Sequence, residues 1–288
     1  MADSIDLSER LELEELDTDL YRGRSPDDGR PRIFGGLVAA QSLVAACRTV
    51  EGRVAHSLHG YFLREGDTKV PVIYDVDRIR DGRSFATRRV VAKQHGKAIF
   101  NTSVSFQAEE EGLEHHVPMS DTPPPESVPS SEERLQEEFE KTGHPGIAFL
   151  LKVGRPIERR DIDHTDLVDP QPRTGPLRTW FRPQVALNDD PVLHQAVLAY
   201  ASDYGMIEAS ISQHGYGVFT EKLIIASLDH AIWFHRPFRF DDWMLYVKES
   251  ASAAGGRALI SGRIYTPDGV LVASVMQEGL IRIRKPRV

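Results

Sequence analysis

The sequence predicts an α+β fold built twice in one chain, two antiparallel sheets each covering a central helix. Three observations carry this. An Ala-rich apolar helix is followed by four strand-like runs, and the plan recurs after an acidic, Pro-rich stretch. The motifs HGYF at 59–62 and HAIW at 230–233 stand 171 positions apart, as do the Ser-Val pairs at 103–104 and 274–275. Hydrophobic residues make up 40% of the 288 positions and charged residues 27%, enough apolar material for a large core without staples.

Taken in order, residues 1–20 read as a short acidic amphipathic helix with Leu7, Leu11, Leu13 and Leu16 as its apolar set, and 21–35 as a turn-rich loop. GLVAAQSLVAACRTV, 36–50, is nearly all apolar and small, a buried helix in which Cys47 is a packed thiol. Strand-like runs follow at 56–64, 70–80, 84–94 and 97–107, separated by Glu65-Gly66-Asp67, Asp81-Gly82 and His95-Gly96, which predicts a meander. Residues 108–144 are acidic, contain three consecutive prolines and predict an exposed linker ending in a polar helix. His115 and His116 lie in it as solvated side chains. The organisation expected is thus 1–107, a linker at 108–144, and 145–288.

In the second half, 156–160 and 178–183 read as strands. LHQAVLAYASDYGMI, 193–207, places Leu193, Val197, Tyr200, Tyr204 and Ile207 on one helical face, with Asn188, Asp189, Asp190 and Pro191 as start signals. Asp203 sits late in this helix, where a carboxylate is costly to bury without partners or a task. Strands are expected at 227–236, 243–249, 258–266 and 270–277.

Net charge is −8 and the isoelectric point about 5.8, which argues against nucleic-acid binding. One cysteine excludes an internal disulfide and any paired-cysteine metal or redox motif. The acidic start lacks a signal-peptide core, no stretch is long enough to span a membrane, and the chain is expected in the cytoplasm. Nucleophile-elbow, dinucleotide, phosphate-loop and zinc-protease motifs are absent, so neither cofactor nor metal is expected.

The segments RIFGGLVAAQSLVAA, HSLHGYFLREGD, YDVDRIRDGRSFATRRV, LAYASDYG, SLDHAIWFHRPFRFDDW and YTPDGVLVASVMQEG resemble the acyl-CoA thioesterase II family, over most of the chain from residue 21 to 279. The resemblance implies a double hotdog, two fused hotdog units forming a pseudo-dimer. It implies hydrolysis of acyl-CoA to free fatty acid and CoA, with catalytic residues at Asp203, Ser227 and Gln277. Ser227 stands where many members carry Thr. The first-half helix lacks an Asp and offers Gln41 instead, so one working site is expected, in the second half. Asp203 would assist an attacking water that Ser227 and Gln277 hold. A homodimer or homotetramer is implied, with acyl-CoA as the partner and no membrane. Arg257, Arg263, Arg282, Arg284 and Lys285 are candidates for the CoA phosphates by charge alone.

Two other classes are compatible with the residues. One is a non-catalytic acyl-CoA-binding protein. The other is an esterase with Ser227 as nucleophile and His230 as base, weakened because residues three apart on a regular strand face opposite ways. An enoyl-CoA hydratase would want a His five residues after the Asp, where Glu208 stands.

Overall fold

The computed structural model describes residues 5–26 and 29–284. Its first half comprises α1 (Leu7–Leu11), β1 (Leu13–Asp17), β2 (Leu20–Gly23), α2 (Gly35–Cys47), β3 (Val54–Phe62), β4 (Val72–Asp81), β5 (Phe85–Gln94) and β6 (Lys97–Gln107). Two helices follow, α3 (Ser131–Thr142) and α4 (Pro145–Val153). The second half has β7 (Ile157–Asp161), β8 (Leu177–Pro183), α5 (Pro191–Ser202), α6 (Glu208–Ile211), β9 (Leu223–Ser227), β10 (Asp229–Phe234), β11 (Met244–Ala254), β12 (Arg257–Tyr265) and β13 (Leu271–Ile283).

The strands form one antiparallel sheet in the order β1-β2-β4-β5-β6-β3-β10-β13-β12-β11-β8-β7, with β9 running along β13 beyond the end of β10. The two halves join at the β3–β10 pair, where Gly60 lies opposite His230 and His59 opposite Ala231. Helices α2 and α5 pack against each other, and a single core draws on both, from Leu37, Ala39 and Leu43 to Val197, Leu198 and Ala201. Every residue of α5 from Ala196 to Ser202 is buried, so its small residues let neighbours approach from all sides rather than from one stripe.

Several expectations need correction. The N-terminal helix is only α1. Leu13 and Leu16 belong to β1 of a hairpin that extends the sheet, and Leu16 is exposed. The first-half strands are not a simple meander. β3 pairs with β6 and β10, because the segment from Leu63 to Pro71 is too long for a hairpin turn and carries the chain across the sheet. α5 stops at Ser202, since Gly205 takes a left-handed backbone (φ 69°) and turns the chain. The polar helix expected after β6 is α3, opened by a capping box from Ser130 and Glu133, but part of its preceding loop is not free: it docks on the second half through Trp180 Nε1–H donating to Pro123 O. The HGYF and HAIW motifs are not equivalent by face: His59 is exposed and edge-on to Trp233, whereas His230 is buried.

Candidate active site

Helix α2 begins Gly35-Gly36 with Phe34 at the N-cap, and no side chain of its own caps it. Its first N–H groups therefore lack intrahelical acceptors. Asp203 supplies one from the other half of the chain: Oδ2 accepts the Gly36 N–H at 2.9 Å. Asp203 is itself the C-cap of α5, where the helix dipole disfavours negative charge. The N-terminus of α2 faces the carboxylate with the opposite sign.

The paired glycines make this approach possible. A Cβ at Gly35 would lie 2.9 Å from Asp203 Oδ2 and from the Phe62 ring, and one at Gly36 would lie 2.3 Å from Tyr200 O. The other carboxylate oxygen, Oδ1, accepts from Gln277 Nε2 at 3.2 Å. Gln277 is 1% exposed on β13, and its Oε1 has no partner. Asp203 is half-buried, so its remaining lone pairs are not all enclosed.

Ser227 ends β9 rather than opening the next strand. It pairs with Gly279, two residues beyond Gln277, so the hydroxyl shares the helix-facing side of the sheet with the Gln277 side chain. Among the described residues no side-chain hydrogen bond engages Ser227 Oγ. The structure thus joins Asp203 to Gln277 directly and sets Ser227 on their face without a direct bond to either.

Between β9 and β10 the chain breaks register at Leu228, whose N–H donates to Glu278 O while Glu278 N–H donates to Asp229 Oδ1. This irregularity shifts the alternation by one residue. His230 therefore points inward like Ser227, contrary to the expectation for a regular strand. Its Nε2 lies 2.8 Å from Ser202 Oγ, so that ring nitrogen is engaged with Ser202 rather than with Ser227. Burial pushes the His230 imidazolium down from its ordinary range, against the pull of Asp203 and Asp229.

The segments 24–107 and 172–280 match the models described as Acyl-CoA thioesterase N-terminal domain and Acyl-CoA thioesterase, respectively. Acyl-coenzyme A thioesterase 8 of Mus musculus is 41% identical over 289 residues, which cover 96% of this chain and 89% of that one. This chain belongs to the acyl-CoA thioesterase II family. The crystal structure of acyl-CoA thioesterase II TesB2 from Mycobacterium marinum superposes with a TM-score of 0.79 at 43% identity, covering 98% of this chain and all of that one. A protein of Alicyclobacillus acidocaldarius described as having a hot dog fold has a TM-score of 0.76 at 19% identity over 96% of this chain and 98% of that one, a likeness of fold. The double hotdog expected from the sequence is the fold observed.

Members of this family are thioester hydrolases. Sequence reading missed Gly35 and Gly36, and weighed His230 only as a base for Ser227, not as a buried neighbour of Ser202 and Gln277. The glycine pair at a helix start was the available signal, but its meaning depends on a carboxylate 167 positions away. Of the expected CoA-binding cations, Arg257 pairs with Glu278 and Arg263 with Glu249, Arg282 and Arg284 are exposed at the end of β13, and Lys285 lies outside the described residues. Among the described residues one group could hold a metal ion, Glu138, His164 and Asp166. Glu138 Oε1 already accepts the Leu167 and Val168 N–H groups there, which accounts for its burial. No helix among the described residues is long and apolar enough to cross a membrane.

Proposed function

We propose that this chain hydrolyses fatty acyl-CoA to free fatty acid and CoA by direct attack of a water that Asp203 deprotonates. The water oxygen bonds to the thioester carbonyl carbon as its proton passes to Asp203. The C–S bond then breaks, and the CoA thiolate recovers a proton. Gln277 holds the carboxylate through Oδ1, the Gly36 amide holds it through Oδ2, and the Ser227 hydroxyl helps to orient the water.

The observation that carries this reading is the carboxylate itself: half-buried, gripped by one N–H on each oxygen, with the Ser227 hydroxyl on the same face. A general base so fixed contributes on the order of 10²–10⁴ in rate. Cytoplasmic location and assembly into a homodimer or homotetramer belong to the same proposal. Exposed Val54, Tyr61 and Phe85 on the outer face of the first-half sheet support the assembly.

Asp203→Asn tests the site. The variant keeps an acceptor for the Gly36 amide, so α2 remains capped, but it cannot take a proton. Thiol release from acyl-CoA is expected to fall about 10²–10⁴-fold with the circular dichroism spectrum unchanged. Undiminished release by a folded Asp203→Asn protein would remove Asp203 as base.

A further inference from the structure

Beside Asp203 lies a chain of buried polar groups with two loose ends. His230 is 1% exposed; its Nε2 meets Ser202 Oγ, and its Nδ1 has no partner. Gln277, also 1% exposed, binds Asp203 through Nε2 and leaves Oε1 without a partner. The two side chains belong to adjacent strands, one step beyond the Ala231–Met276 pair, and they interact with each other. Unpaired buried polar atoms are costly, and on cross-strand neighbours of one face a proton shared between these two would remove both penalties.

The ring tautomer follows from counting hydrogens, because ring protons and amide orientation are set by the network. If the neutral ring carried its proton on Nε2, the Nδ1 lone pair would face the Gln277 carbonyl oxygen, two acceptors opposed. If the proton is on Nδ1, it donates to Gln277 Oε1, and Ser202 Oγ–H donates to Nε2. Only the second arrangement of the neutral ring satisfies both loose ends. Ser202 has a single hydroxyl proton, and its alternative acceptor, Ala199 O at 2.9 Å, is a helix carbonyl.

We propose that His230, as its Nδ1–H tautomer, is a positioning residue that locks the Gln277 carboxamide with its NH₂ group turned to Asp203. Without that donor the carboxamide is free to rotate and present its oxygen to the carboxylate, an acceptor against an acceptor. His230 acts through Gln277. This inference rests on the reading of Asp203 as the base.

The test measures kcat and KM for acyl-CoA hydrolysis in His230→Leu, His230→Asn, Gln277→Ala and the His230→Leu/Gln277→Ala pair, with Asp203→Asn alongside. His230→Leu is expected to lower kcat about 10- to 100-fold, the scale of a misplaced catalytic group, with KM within about twofold. His230→Asn carries its amide nitrogen close to the place of Nδ1 and is expected to regain about tenfold. In the Gln277→Ala background the His230→Leu change is expected to have less than about a twofold effect, since residues acting as one unit are not additive. Equal losses in both backgrounds, or an Asn variant as poor as Leu, would reduce His230 to packing. If Asp203→Asn keeps full activity, the catalytic reading falls, whatever His230 does. The ¹⁵N shifts of the wild-type imidazole, assigned by the signal lost in His230→Asn, test the tautomer without relying on a folded Leu variant. A protonated Nδ1 and bare Nε2 are expected, and the reverse overturns the proposal.

Discussion

Asp203 has two structural roles and, in the proposed reading, one chemical task. It ends α5 and caps α2, and either role alone would explain a buried-edge aspartate. The distinction from a mere cap lies in the second oxygen, which Gln277 binds from a strand that belongs to neither helix. The close approach depends on Gly36, so Gly36→Ala is the sharpest residue-scale probe. The added methyl would sit 2.3 Å from the backbone oxygen of Tyr200, which cannot swing aside as a side-chain tip would. Overpacking of this kind costs about 1–3 kcal/mol. We expect the denaturation midpoint to fall and kcat to fall further than stability explains, because α2 must move away from Asp203. Urea titration with kinetics on the fully folded fraction checks this; a variant that loses stability but keeps kcat would mean that the Gly36 amide does not position the carboxylate. Asp203 and Gln277 were legible as family positions. The Gly36 contact was not, since no local pattern encodes an approach between residues so distant in sequence.

Among the elements, β3 to β6 were legible to within two residues because they alternate and end in turn residues. The β1–β2 hairpin was not: its leucines, with those of α1, mimic helical spacing over a stretch too short to decide. β9 went unread except for Ser227, which the expected strand at 227–236 joined to β10, since only the single residue Leu228 separates them, and that break turns His230 inward. β11 illustrates a different illegible feature, a lysine in the core. Lys248 is 1% exposed, its ammonium 5.2 Å from the Tyr246 ring centre and beside Gly205, with Arg159, Asp161 and Glu208 around the same cavity. Burial, helped by Arg159 and opposed by Glu208 and Asp161, pushes its pKa down from 10.5 to about 8. Between about 8 and the ordinary lysine value the unfolded chain binds a proton that the folded chain does not, so this group makes stability rise with pH across that window. The Cys47 thiol, which burial pushes up to about 12, opposes this in the upper part of the window but does so equally in both proteins, so from about pH 8 to pH 9.5 the wild-type urea midpoint is expected to rise relative to that of Lys248→Met. The same rise in both proteins would place the titration elsewhere.

At the scale of the molecule, the repeat predicts two hotdogs, but the structure joins them more tightly than a pair of domains on a linker. The sheet passes without interruption from β6 through β3 to β10 and β13, and one core runs through α2 and α5. The candidate site straddles the seam, with a backbone donor from one half and the carboxylate from the other. Such a molecule should unfold as one unit. The tryptophans offer a direct check, because all three, Trp180, Trp233 and Trp243, lie in the second half, whereas far-ultraviolet circular dichroism reports the whole chain. We expect the two signals to follow one transition. Tyr74→Phe sharpens the test. The Tyr74 hydroxyl donates to Gln41 Oε1 at 2.6 Å, buried wholly within the first half, and its loss leaves that oxygen without this donor at a cost of about 1–3 kcal/mol. If the halves fold together, tryptophan fluorescence from the second half must move to lower denaturant by the same amount as circular dichroism. A tryptophan midpoint that stays in place while part of the dichroism shifts would show two independent folding units, and would mean that the candidate site is assembled by docking rather than by folding.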